Sequence, residues 1–151
     1  LSVIVPQQAI DLISSFEGFS STIYYCAGGK PTIGYGHVLC KGEECLEPMS
    51  QEVAEDHLKK DAAWAAYAVD KLVHKPLTQN QRAALISLVF NIGSGNFQAS
   101  TIRSRLNQGD YAGAANSFWM WRRANGKILP GLVRRREAEK NMFIEPLFNK
   151  T

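Results

Sequence analysis

One stretch decides most of what this chain can fold into: "TQNQRAALISLVFNIGSG", residues 78–95. Thr78 and Gln81 form a capping box, the threonine as cap and the glutamine reaching back. Past Ala83 the residues are apolar on nearly every face, so the helix has no side to give to water. It must run through the middle of the molecule with other elements packed around it. Gly93 and Gly95 end it.

The rest of the chain supplies the cover. Pro6 suits the first position of a helix, and Ala9, Ile10, Ile13 and Phe16 recur at helical spacing up to a stop at Gly18. A first helix therefore spans about 6–17, with Glu17 at its C-terminal end. Thr22, Ile23, Tyr24 and Tyr25 favour strand, "AGGKP" is a turn, and "TIGYGH" is a second short strand loosened by glycines, giving a hairpin over 22–37. The bare backbone at Gly34 and Gly36 lets a ligand or another segment come close. Ser50 caps a long helix reaching Val73, with Val53, Leu58, Ala62, Ala65, Val69 and Leu72 on its apolar side. Shorter helices are expected near 100–107, 110–124 (capped by Asp110) and 131–144 (opened by Pro130), with "ANGK" a turn between the last two.

The fold class is α+β, mostly helical. A small N-terminal lobe (about 1–55) carries a β-hairpin, and a long helix (about 51–73) joins it to a larger helical C-terminal lobe (about 74–151). A length of 151 residues is enough for one domain, 1–151, with a sizeable core. A cleft between the lobes is the default site.

The net charge of +3, with arginines gathered in "WRRANGKILPGLVRRREAEK", suits a polyanionic partner and equally a solvated helix face. No apolar run approaches the ~20 residues of a membrane span, and "LSVIV" is too short for a signal-peptide core. The chain begins with Leu1 rather than Met, so removal of an upstream signal, tag or leader is expected. It carries no phosphate-binding glycine loop, no Ser-His-Asp arrangement with useful context and no nucleic-acid module. Cys40 and Cys45 lie close together in "LCKGEEC", where Gly42 lets the loop close into a disulfide, as in an oxidising compartment. The other reading is two free thiols. A zinc site would need two further ligands, and His37 and His57 are too far off in sequence to supply them, so no metal is expected. His37 reads as a structural hydrogen-bonding residue, His57 and His74 as exposed, and Trp64, Trp119 and Trp121 as core.

The chemistry lies in "FEGFSSTIYYCAGGKPTIGYGH", residues 16–37. Glu17 sits at the negative end of a helix dipole, with Phe16 and Phe19 nearby. Both features favour the protonated form that a general acid needs. With residues 27–31 as the turn, Cys26 and Thr32 face each other across the hairpin and point to one face. An acid and two small polar groups then converge, enough to protonate a leaving group while placing a water on the opposite side.

This stretch resembles the phage-type lysozymes of glycoside hydrolase family 24. Their signature is Glu, eight residues, Asp or Cys, five residues, Thr, with the Thr opening a "T-I-G-x-G-H" strand; here it reads Glu17, Cys26, Thr32 and "TIGYGH". "AALISLVFNIGSGNF", "STIRSRLNQGDYAGAANSFWMW" and "LPGLVRRREAE" extend the resemblance over essentially the full chain. It implies a lysozyme-like fold and a muramidase, a hydrolase of the β-1,4 bond between N-acetylmuramic acid and N-acetylglucosamine, with inversion at the anomeric carbon.

Carried over by position, the resemblance makes Glu17 the general acid and Thr32 a holder of the attacking water. Gly34 and Tyr35 line the cleft from the hairpin side, Phe90 and Asn91 contact the sugar chain, and Arg135 pairs with the acid or steadies the site. Cys26 stands where many members have aspartate. An ordinary thiol, with a pKa of ~8.5, is a weaker counter to an oxocarbenium-like charge than a carboxylate. No cofactor is implied. The expected partner is bacterial peptidoglycan, reached by secretion or delivery to the cell wall, with no nucleic acid, no stable membrane insertion and a monomeric state. Two other readings stay open: a lytic transglycosylase on the same polymer, which can work with one acid, and a non-catalytic wall- or membrane-binding protein.

Overall fold

The computed structural model describes residues 3–145. Helix α1 spans Gln7–Glu17 and buries Ala9, Ile10 and Ile13. Pro6 is its cap rather than its first helical residue, because its ψ of 151° is extended. Gly18, at φ 75°, turns the chain out of the helix directly after Glu17.

Strands β1 (Ser20–Tyr25), β2 (Pro31–Gly34) and β3 (His37–Val38) form an antiparallel sheet in that order. "TIGYGH" is therefore not one strand. Positive φ at Gly34 (68°) and Gly36 (79°) folds it back on itself, pairing Ile33 with His37.

Helix α2 (Gln51–Asp61) starts at Ser50, whose Oγ accepts from Val53 N at 3.2 Å. The expected long helix is interrupted at Ala62, where ψ relaxes to −8°, and α3 (Ala63–Leu72) follows. Ala54 of α2 joins a small cluster with Ile33 and Met49 beneath the sheet, while Leu58 of α2 and Ala65, Ala66 and Val69 of α3 join the main core. Val53 lies off both and is exposed.

Helix α4 (Gln79–Ile92) is the buried centre. Both halves of the Thr78–Gln81 box are made, at 3.0 Å each, and every residue from Ala83 to Val89 is buried. Helices α1 and α3 pack on it, with the C-terminal helix α8 (Pro130–Ile144). Each fully buried Leu, Ile or Val there contributes about 1.5–3 kcal/mol.

Beyond Gly93 the chain departs from expectation in two places. A short helix α5 (Ser94–Gln98) follows at once, and the helix expected over 110–124 is cut into pieces. Asp110 caps only α7 (Tyr111–Ala115), which follows α6 (Thr101–Asn107). A 3₁₀ turn (Phe118–Trp121) and a small hairpin, β4 (Arg123–Ala124) and β5 (Lys127–Ile128), come next. The "NG" of "ANGK" makes that hairpin: Asn125 and Gly126 both take positive φ, 53° and 77°. Pro130 opens α8 (Pro130–Ile144), whose Phe143 meets Phe118 at 5.6 Å in the main core.

Candidate active site

Glu17 is the last residue of α1, and its carboxyl is held from across the fold. Arg135 Nη1 donates to Glu17 Oε2 at 3.0 Å. The other Arg135 donors are also engaged: Nε to Glu139 Oε2 at 3.2 Å, and Nη2 to the Ser87 carbonyl at 3.2 Å. Its guanidinium lies 5.6 Å from the Phe16 ring centroid. Glu139 is fully buried and gathers Ser87 Oγ at 2.7 Å and Arg136 Nη2 at 3.1 Å as well. Arg136 Nε stands 2.7 Å from Glu139 Oε1, an ion pair in poor hydrogen-bond alignment. Glu139 thus lies between two buried arginines, and one of them reaches on to the part-exposed Glu17, so each buried charged side chain has a partner. Arg134, the preceding arginine of "VRRR", makes none of these contacts.

Glu17 Oε1 is turned the other way. A β-carbon on Gly36 would stand 3.3 Å from it. The β2–β3 turn therefore comes against the acid, and it does so at a residue with no side chain. The approach that bare backbone permits is by another part of the same chain. At Gly34 it is by α2 and its cap region: a β-carbon there would meet Ala54 at 3.1 Å and Met49 Sδ at 3.2 Å. Gly34 is buried and faces away from the cleft, a correction to its expected lining role; Gly36 takes that place.

Cys26 and Thr32 share a sheet face, but not as direct partners. Thr32 pairs with Tyr24, and Cys26 N bonds to the Lys30 carbonyl, so the two are diagonal neighbours. Thr32 is 2% exposed and its hydroxyl donates to the Lys30 carbonyl at 2.9 Å. The backbone around Lys30 and then Gly28 hydrogen-bonds the Cys26 sulfur, with the Thr32 hydroxyl adding to this. Together they hold the thiol below its ordinary value of 9.0 against a small opposing effect of burial.

Tyr35 sits in the β2–β3 turn, half-buried, with Phe19 at 5.5 Å. Phe90 is half-buried at the end of α4, and Asn91 beside it is exposed. Trp64 is 45% exposed and stacks on Phe90 at 6.1 Å, so it is not core as expected; Trp119 is exposed too. An open recess of about 410 Å³ runs along Gly36, Asp61, Trp64 and Phe90. Sequence reading missed Ser87 and Glu139, and it placed Trp64 in the core rather than at the recess. A signal existed for Trp64: it falls off the 62–65–66–69 stripe that buries α3. A serine inside "LISLVF" was the signal for Ser87.

Cys40 and Cys45 are free thiols, not a disulfide. Cys40 is exposed, whereas Cys45 turns inward against the Ile33–Met49–Ala54 cluster. The loop is closed by Glu43 instead, which accepts from Cys40 N at 2.9 Å and meets His37 Nε2 at 2.8 Å. His37 Nδ1 meets Asp61 at 2.7 Å. Burial pushes the His37 pKa down, but its bonds to Glu43 and Asp61 outweigh that and hold it above 6.5. His57 is half-buried rather than exposed, because its ring packs on His37 at 4.3 Å. His74 is exposed as expected.

A carboxyl anchored at a helix end thus lies against the turn of a small sheet, and an aromatic recess borders the same turn at Gly36. The family model for phage lysozymes matches residues 14–139. The chain is 41% identical over 143 residues to the endolysin of Acyrthosiphon pisum secondary endosymbiont phage 1, covering 92% of this chain and 97% of that one. It is 39% identical to the endolysin of Bacillus phage B103 over 93% of this chain, and spans only 54% of that longer protein. The structure of P22 lysozyme superposes with a TM-score of 0.84 at 35% identity, over 93% of this chain and 98% of that one. The chain belongs to the phage lysozyme family. It is a peptidoglycan hydrolase, a muramidase, acting on the bacterial cell wall.

Proposed function

We propose that this lysozyme cleaves the β-1,4 bond after N-acetylmuramic acid with inversion, Glu17 acting as general acid. The observation that carries the reading is the split use of the Glu17 carboxyl: Oε2 is held by Arg135, and Oε1 is turned toward Gly36 and the recess. Oε1 gives its proton to the glycosidic oxygen as the bond to the anomeric carbon breaks. The carboxylate left behind pairs with Arg135. Water attacks from the opposite face, held by Thr32, and its proton passes to the Cys26 thiolate and then to solvent. The lowered pKa of Cys26 supports that role, since it enlarges the thiolate fraction. Tyr35, Phe90, Asn91 and Trp64 hold the sugar chain, Trp64 and Phe90 offering an aromatic shelf.

The chain works as one domain and a monomer, without a cofactor and without nucleic acid, after secretion or delivery to the wall. Among the described residues no helix is long and apolar enough to cross a membrane.

Glu17→Gln tests the acid. Lysis of purified peptidoglycan should fall by about 10²–10⁴-fold, with binding to the polymer retained. Lysis at the wild-type rate would remove Glu17 from the chemistry and favour a non-catalytic mode of action.

A further inference from the structure

We propose that His37, Glu43 and His57 form a binding site for a borderline divalent cation of the zinc type. Sequence distance argued against any such set, but the fold brings it together. The three residues come from β3, the loop after it and α2, and their ligand atoms all lie within 4.8 Å of one another.

Each ring nitrogen of His37 faces a carboxylate: Nδ1 faces Asp61 at 2.7 Å and Nε2 faces Glu43 at 2.8 Å. The protonated ring donates to both carboxylates; a cation between Nε2 and Glu43 takes the place of the Nε2 proton. Asp61 then accepts from Nδ1–H, as the outer carboxylate does in a carboxylate–histidine–zinc arrangement. Glu43 is oriented for the task, because Cys40 N–H holds its Oε1 and leaves Oε2 toward the ring.

A tetrahedral zinc with bonds of about 2.0–2.2 Å keeps its ligand atoms about 3.4 Å apart. From a set already within 4.8 Å, the ion needs the 2.8 Å His37–Glu43 pair to open slightly and the His57 side chain to draw in. Two histidines, one carboxylate and a water make a donor set suited to zinc, nickel or copper rather than calcium or magnesium. Access is open: one surface recess borders Glu43 and a second borders His57, with Glu44 and Cys45 common to both. The bound ion ties the loop after β3 to α2, close to Asp61 in the floor of the substrate recess.

The test is Zn²⁺ titration of the full chain by calorimetry, with thermal unfolding and the Co²⁺ absorption spectrum alongside. One ion should bind per chain, raise Tm and give the intense visible bands of four-coordinate cobalt. His57→Ala and, separately, Glu43→Gln should each weaken binding on the order of tenfold or more. The double change Cys40→Ser with Cys45→Ser should leave binding intact. Absence of binding to the wild-type chain overturns the proposal. So does binding that survives both His57→Ala and Glu43→Gln, or that is lost with the two cysteines.

Discussion

Arg135 Nη1 donates to Glu17 Oε2 at 3.0 Å, joining residues 118 positions apart at the two ends of the fold. The contact is only as firm as what stands behind it. Glu139 and Ser87 occupy the other Arg135 donors, and both are buried. Replacing Glu139 with leucine leaves two buried arginines short of a counter-charge. The expected cost is about 3–5 kcal/mol of stability, read by denaturant unfolding. A loss under 1 kcal/mol would show that the arginines find other partners.

Gly36 separates backbone strain from crowding of the acid. Gly36→Ala and Gly126→Ala both force a β-carbon onto positive φ, 79° and 77°, at about 1–2 kcal/mol each. Gly126 has open space around it, whereas the Gly36 β-carbon would press on Glu17 Oε1. Stability should fall similarly in both, and the lytic rate only in Gly36→Ala. Equal activity in the two variants would show that the turn does not bear on the acid.

The Thr32 hydroxyl is tested by shape-matched exchange. Thr32→Val keeps the volume beside Lys30 and removes the hydroxyl; Thr32→Ser keeps the hydroxyl. The valine variant should lose on the order of 100-fold in kcat through misplaced water, with serine recovering much of it. Two variants equally impaired would point to packing rather than water.

Cys26 gives the pH dependence. Its thiol sits below the ordinary 9.0, so the thiolate fraction at any pH under that value exceeds that of a free cysteine. Alkylation by iodoacetamide, followed at Cys26 by peptide mass spectrometry, should therefore reach half its limiting rate at a lower pH than alkylation of free cysteine run in parallel. Confirmed alkylation of Cys26 should cut turnover. Unchanged turnover after full modification removes Cys26 from the mechanism.

Much of this was readable in the sequence because it is local. The Thr78–Gln81 box, the Ser50 and Asp110 caps and the apolar run of α4 each depend on residues within a turn or two. The Glu17, Cys26 and Thr32 spacing lies within one hairpin and its preceding helix. What the sequence hid is tertiary. Ala62 interrupts the expected long helix, and nothing in "LKKDAAWAAY" marks that. Cys40 and Cys45 look ready to pair, but Cys45 is drawn inward and Glu43 closes the loop. Gly34 and Gly36 look alike in "TIGYGH", yet one meets Ala54 and the other Glu17.

The most direct test of the central claim is time-resolved proton NMR of a soluble peptidoglycan oligosaccharide during cleavage by the wild-type enzyme. Direct displacement by a water held by Thr32, with Glu17 as acid, predicts that the α-anomer of reducing N-acetylmuramic acid appears first and then mutarotates. First appearance of the β-anomer would mean a covalent or double-displacement route, and a 1,6-anhydro product would mean that no water attacks at all. Either result would contradict the account.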